Sequence, residues 1–76
     1  MNSTAIGEPI DHREERLESL VQNRVGGRVK DLRIVVRHQG VILQGWTATY
    51  HAKQLVQHAA MDVAGLPILA NDIVVR

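Results

Sequence analysis

The segment Gly40-Val41-Ile42-Leu43-Gln44-Gly45, followed by Thr49 and a run that stops at Gly65, constrains this chain more than any other stretch. Glycine, three apolar residues and a second glycine form a turn feeding a strand. Thr49 then offers a hydroxyl to the free amides of a helix start. Behind it Ala52, Leu55, Val56, Ala59, Ala60 and Val63 recur at helical spacing, predicting a second helix that runs to about Ala64 with one apolar stripe. Gly65 ends that helix and Pro67 forbids its resumption, so Leu69, Ile73 and Val75 alternate as a last strand.

Upstream, Asp11 and Glu14 have capping-box spacing, and Leu17, Leu20, Val21 and Val25 recur on one helical face, predicting a first helix from about Asp11 to Val25. Gly26-Gly27 closes it. These glycines follow a helix and precede a strand, the reverse of a phosphate-cradling loop. From Leu32 the pattern alternates, with Leu32, Ile34 and Val36 on one side and Arg33, Val35 and Arg37 on the other. A two-residue loop at Gln39-Gly40 would set Val36 against Leu43 and Ile34 against Gly45, so that the inward sets of both strands agree. Gly45 would then sit on the inner face, where a missing side chain lets a helix approach.

The order is helix, strand, strand, helix, strand. It predicts an α+β fold, an αββαβ two-layer module with two helices on one face of a three-stranded mixed sheet. Residues 1–10 mix polar residues, Gly and Pro without periodicity and are expected to form a loose tail, leaving 11–76 as one domain. A chain of 76 residues buries only about 60% of its unfolded surface. Cysteine is absent, which removes disulfides and thiolate metal sites and leaves a second subunit as the obvious extra support.

These residues together resemble the BON domain family of bacteria over about Asp11 to Arg76. The resemblance is carried by the glycine-turned hairpin at Gly40, Val41-x-Leu43-x-Gly45, the hydroxyl cap at Thr49, Gly65-Leu66 after the second helix, and Asn71-x-Ile73-x-Val75. One departure is the hairpin glycine, which many members carry a residue earlier. The resemblance implies a small helix-on-sheet binding module, found in tandem in envelope stress proteins and attached to secretins and channels, and proposed to bind phospholipid. It implies no enzyme and no cofactor.

Two helices can cover only one face of such a sheet. The other face is expected to show Arg33, Val35 and Arg37, then Ile42, Gln44 and Trp46, then Asp72, Val74 and Arg76. In this register Trp46 lies opposite Arg33, close enough for guanidinium to rest on indole. Trp and Arg are also enriched at interface hot spots. Three uses compete with the simple case of scattered surface apolar groups. One is a homo-oligomer, sheet to sheet or edge to edge, burying Val35, Ile42, Trp46 and Val74. Another is a separate protein partner. The third is an anionic phospholipid surface, with Trp46 at the interface and Arg33, Arg37 and Arg76 near the head groups.

Other chemistry finds less support. A net charge of +1 with one Trp and one Tyr lacks the basic field and the stacking residues of a nucleic-acid binder. His51 and His58 lie seven apart, too far to share a metal, and no third ligand accompanies them. His38 shares the inner parity of the first strand but falls at the hairpin end. Glu14, Glu15 and Glu18 suggest a solvated helix face rather than a catalytic pair, and neither Ser3 nor Ser19 has a base at a telling position. No apolar run approaches the roughly 20 residues that span a bilayer, and no export signal is visible, so a cytoplasmic address is expected.

Overall fold

The computed structural model describes residues 12–76, which form α1 (Arg13–Val25), β1 (Val29–Arg37), β2 (Gly40–Thr47), α2 (Tyr50–Ala64) and β3 (Ile68–Val75). The strands lie in the order β1-β2-β3, β1 antiparallel to β2 and β2 parallel to β3. This is the α+β arrangement the sequence predicts, with both helices packed on one face of a mixed sheet. The connection between the parallel strands β2 and β3 is α2 itself, the crossover that parallel neighbours require.

The core lies between the layers. Val21 and Val25 of α1 and Val56 and Ala60 of α2 pack on Val29, Ile34, Val41, Leu43 and Ile73 of the sheet. Each of the larger side chains contributes about 1.5–3 kcal/mol on burial. Leu20, expected on the inner stripe of α1, is 45% exposed, because the helix turns it past the edge of the layer. Both helices end on glycines in the left-handed conformation, Gly26 at φ 66° and Gly65 at φ 65°. Thr49 caps α2 as expected, its Oγ1 accepting the Ala52 amide at 3.0 Å. The proposed Asp11 cap, the tail over residues 1–10 and Ser3 lie outside the described residues. The described N-cap of α1 is His12, which makes no side-chain capping bond.

Two irregularities shift the expected register. The hairpin loop is His38-Gln39 rather than Gln39-Gly40, so Arg37 pairs with Gly40, Val36 with Val41 and Ile34 with Leu43. The slip is even in total, so the inward and outward sets survive it. His38 thereby falls in the turn. The second irregularity is a β-bulge in β1, where Asp31 and Leu32 together oppose Gly45 and the ladder resumes at Lys30 with Trp46. Asp31 takes a positive φ of 54° there. A methyl group on Gly45 would lie 2.8 Å from the Lys30 carbonyl oxygen and 3.1 Å from Val29 Cγ1. Gly45 therefore accommodates the bulge of the neighbouring strand, not a helix.

A further shift at the start of β3 sets Val41 beside Ile68 and Ile42 beside Ala70, leaving Leu69 as the extra residue and 46% exposed. Its side chain lies over Gly40, where an added Cβ would come within 2.9 Å of Leu69 Cγ and would also collide with the Pro67 carbonyl oxygen. Leu69 is thus no core residue, and Val75, also expected inward, is 40% exposed where the strand runs past the helices. Ile73 alone of the three is fully buried.

Candidate functional site

The face of the sheet opposite the helices is open among the described residues. Cross-strand pairing arranges it in rungs: Val35, Ile42 and Ala70; then Arg33, Gln44 and Asp72; then Lys30, Trp46 and Val74. Arg37 stands beyond the first rung, opposite Gly40, and Arg76 beyond the last. All nine residues expected on this face, Arg33, Val35, Arg37, Ile42, Gln44, Trp46, Asp72, Val74 and Arg76, have the outward parity. Lys30 joins them from beyond the bulge, where the alternation from Leu32 did not reach, and Ala70 joins them from β3.

Two apolar rungs are thus separated by a polar one. Val35, Ile42 and Trp46 are half-buried by their neighbours, whereas Val74 is 52% exposed. Trp46 does not meet Arg33. The hairpin slip moves it two residues along β1 and the bulge one more, to stand opposite Lys30, and the guanidinium of Arg76 lies over its ring, 4.7 Å from the centroid. Such a contact contributes about 0.5–1 kcal/mol at an exposed site. The Arg76 amide donates to the Thr47 carbonyl at 2.9 Å, so the backbone that carries this arginine is fixed by the ladder. Arg33 leans the other way, its Nε 3.6 Å from Glu18 Oε2 on α1. The rungs and their ends carry Lys30, Arg33, Arg37 and Arg76 against the carboxylate of Asp72. Asp31, exposed in the bulge, is placed on neither face by the register.

The edge of β1 is a second feature. Glu14, Glu18 and Gln22 stand one turn apart on α1, and each reaches the backbone of β1. Glu14 Oε2 accepts the Val36 amide at 2.7 Å, Glu18 Oε2 accepts the Ile34 amide at 2.9 Å, and Gln22 Nε2 donates to the Val29 carbonyl at 2.7 Å. Glu14 and Glu18 are therefore structural acceptors and not part of a solvated face. Only Glu15 fits that description, 73% exposed and bonded to His12 Nδ1 at 2.7 Å. The i, i+4, i+8 spacing of Glu14, Glu18 and Gln22 is the sequence signal for this ladder.

At the start of α2 a shallow hollow of about 480 Å³ is lined by Arg28, Ala48, Thr49, His51 and Ala52, and a second of about 590 Å³ runs along α1 from Glu15 to Asn23 over Leu32. Neither lining pairs a nucleophile with a base. Among the described residues no group of three or more His, Asp or Glu side chains is placed to hold a metal, and His51 and His58 are separately exposed on α2. No described helix is long and apolar enough to cross a membrane. No protein-family profile, curated protein or solved structure matches the chain.

Proposed function

We propose that this chain is a non-enzymatic binding module of the BON type whose working surface is the open sheet face, and that this face docks on anionic phospholipid. The observation that supports the reading is the composition of the face: aliphatic side chains and Trp46 in two rungs, with Lys30, Arg33, Arg37 and Arg76 around them and a single rung carboxylate, Asp72. A cation near an anionic leaflet gains about 1 kcal/mol, so four supply roughly 4 kcal/mol, a millimolar attraction by themselves. Insertion of Trp46 and Val74 at the head-group boundary must add the rest.

Trp46 is the sole tryptophan of the chain, so its fluorescence reports the face directly. Vesicles of phosphatidylglycerol and phosphatidylcholine in equal parts should shift the emission to the blue and co-sediment the protein at low salt. Pure phosphatidylcholine should do neither, and the binding should weaken steeply with added salt. Anionic vesicles that leave both emission and sedimentation unchanged rule the reading out.

The middle rung favours one other reading, a homo-oligomer. Arg33 and Asp72 stand at its two ends on β1 and β3, and a second copy stacked face to face about a two-fold axis at Gln44 brings Arg33 to Asp72 twice while burying both apolar rungs. Light scattering over a concentration series, comparing wild type with Trp46→Ala, separates the two. A dimer that the substitution dissolves supports stacking, and a monomer in both leaves the face to lipid or to a separate protein.

A further inference from the structure

Asp72 is the rung carboxylate whose charge opposes docking on an anionic surface, and it stands in the middle of the open face. Its rung, Arg33, Gln44 and Asp72, lies between the apolar rung of Val35, Ile42 and Ala70 and that of Lys30, Trp46 and Val74. The side chain is exposed and makes no hydrogen bond or ion pair with any described residue. Cations on the same face are engaged elsewhere. Arg33, two strands away across Gln44, is turned to Glu18 at 3.6 Å. Arg76, on the same strand as Asp72, is turned onto the ring of Trp46. Trp46 is the diagonal neighbour of Asp72, with its Cα ~8 Å away from a strand separation of ~4.8 Å and two residues of ~3.3 Å rise. A negative site thus lies about one diagonal from a positive one, formed by Arg76 over the indole and Lys30 beside it.

Docking that inserts Trp46 and Val74 carries Asp72, two residues from Val74, to the head-group level and strips part of its water. An ionised carboxylate is destabilised there unless a partner replaces that water. Among the described side chains none is turned to it, so the partner has to come from the leaflet. We propose that Asp72 reads the primary ammonium of a phosphoethanolamine head group, whose phosphate then falls to Arg76 and Lys30 beside Trp46; this inference rests on the lipid reading of the open face. A carboxylate and a cationic pair one diagonal apart match a zwitterion whose two charges are joined by a two-carbon link. A choline head group carries the same charges but has no N–H to donate, and the indole on which a quaternary ammonium would rest already carries Arg76. A phosphoserine head group sets a carboxylate beside its ammonium, which faces Asp72 with like charge. The face is therefore selective among the lipids of an anionic leaflet as well as attracted to its charge.

The test uses the full chain and two vesicle mixtures with the same share of phosphatidylglycerol, one half in each, completed by phosphatidylcholine or by phosphatidylethanolamine. Binding is read by the Trp46 emission shift and by co-sedimentation. Wild type should bind the ethanolamine mixture about fivefold more tightly than the choline mixture, the upper end for an ion pair open to water. Asp72→Asn, which keeps the shape of an exposed and unpaired side chain and so leaves the fold intact, should bind the two mixtures equally, and the choline mixture more tightly than wild type does. Asp72→Glu keeps the carboxylate and should keep the preference. Wild type that binds both mixtures with the same affinity overturns this inference and leaves the lipid reading standing. A preference that survives in Asp72→Asn also overturns it, since the packing of ethanolamine lipids and not the carboxylate would then be the cause. Wild type that binds neither mixture overturns the lipid reading itself and this inference with it.

Discussion

Replacing Gly45 by Ala probes the junction on which the register of the whole open face depends. The glycine has φ 141°, a conformation that costs a side-chain-bearing residue about 1–3 kcal/mol. The added methyl would stand 2.8 Å from the Lys30 carbonyl oxygen and 3.3 Å from that of Asp31. Those oxygens belong to the bulge backbone and cannot swing aside as a side-chain tip could, so overpacking adds about 1–3 kcal/mol. A combined loss of about 3 kcal/mol is expected, against a total stability of roughly 4–11 kcal/mol for a chain of 76 residues. At about 4–8 °C per kcal/mol in domains of this size, the melting temperature should fall by ~12–24 °C. Gly26→Ala is the internal control. Gly26 has φ 66°, but no atom lies within 4 Å of its would-be methyl, so only the left-handed cost of about 1–2 kcal/mol applies. Urea denaturation followed by circular dichroism measures both. A Gly45→Ala loss no larger than that of Gly26→Ala would refute the account of a glycine required by the bulge.

Three further substitutions test separate contacts. Thr49→Ala removes the hydroxyl that accepts the Ala52 amide and should cost about 1 kcal/mol in urea denaturation, whereas Thr49→Asp, which keeps an acceptor, should cost far less. Asn71→Ala severs β3 from α2 at Lys53 and Gln57 and frees the Ile73 amide, so a loss of about 2 kcal/mol and faster exchange at Ile73 are expected; an unchanged Ile73 amide would show that the side chain is not its acceptor. Arg24→Ala breaks the ion pair with Asp62, 3.3 Å long with both side chains more than half exposed, and should change stability by less than about 0.5 kcal/mol. A larger effect there would mean that the pair organises the α1–α2 contact beyond its own charge.

What the sequence by itself determined is everything that short-range chemistry dictates. The two helix stops at Gly26 and Gly65, the Thr49 cap, the period-two alternation of β1 and β2 and the 3.6-residue stripe of α2 depend on a residue and its near neighbours, and each is where local propensity put it. The parity of the open face was legible too, because a slip of an even total leaves inward and outward sets unchanged. What only the tertiary structure decided is which residues meet across elements. The two-residue slip of the hairpin and two inserted residues, Asp31 in β1 and Leu69 in β3, re-aim the rungs by amounts that alternation does not encode. Trp46 therefore carries Arg76 and not Arg33, and Leu69 leaves the core. The carboxylates of α1 illustrate the same limit: their acidity suggests solvent, but docking α1 along β1 brings Glu14 and Glu18 to amides twenty-two and sixteen residues away. A buried strand edge must satisfy its amides, and the helix packed beside it supplies the acceptors.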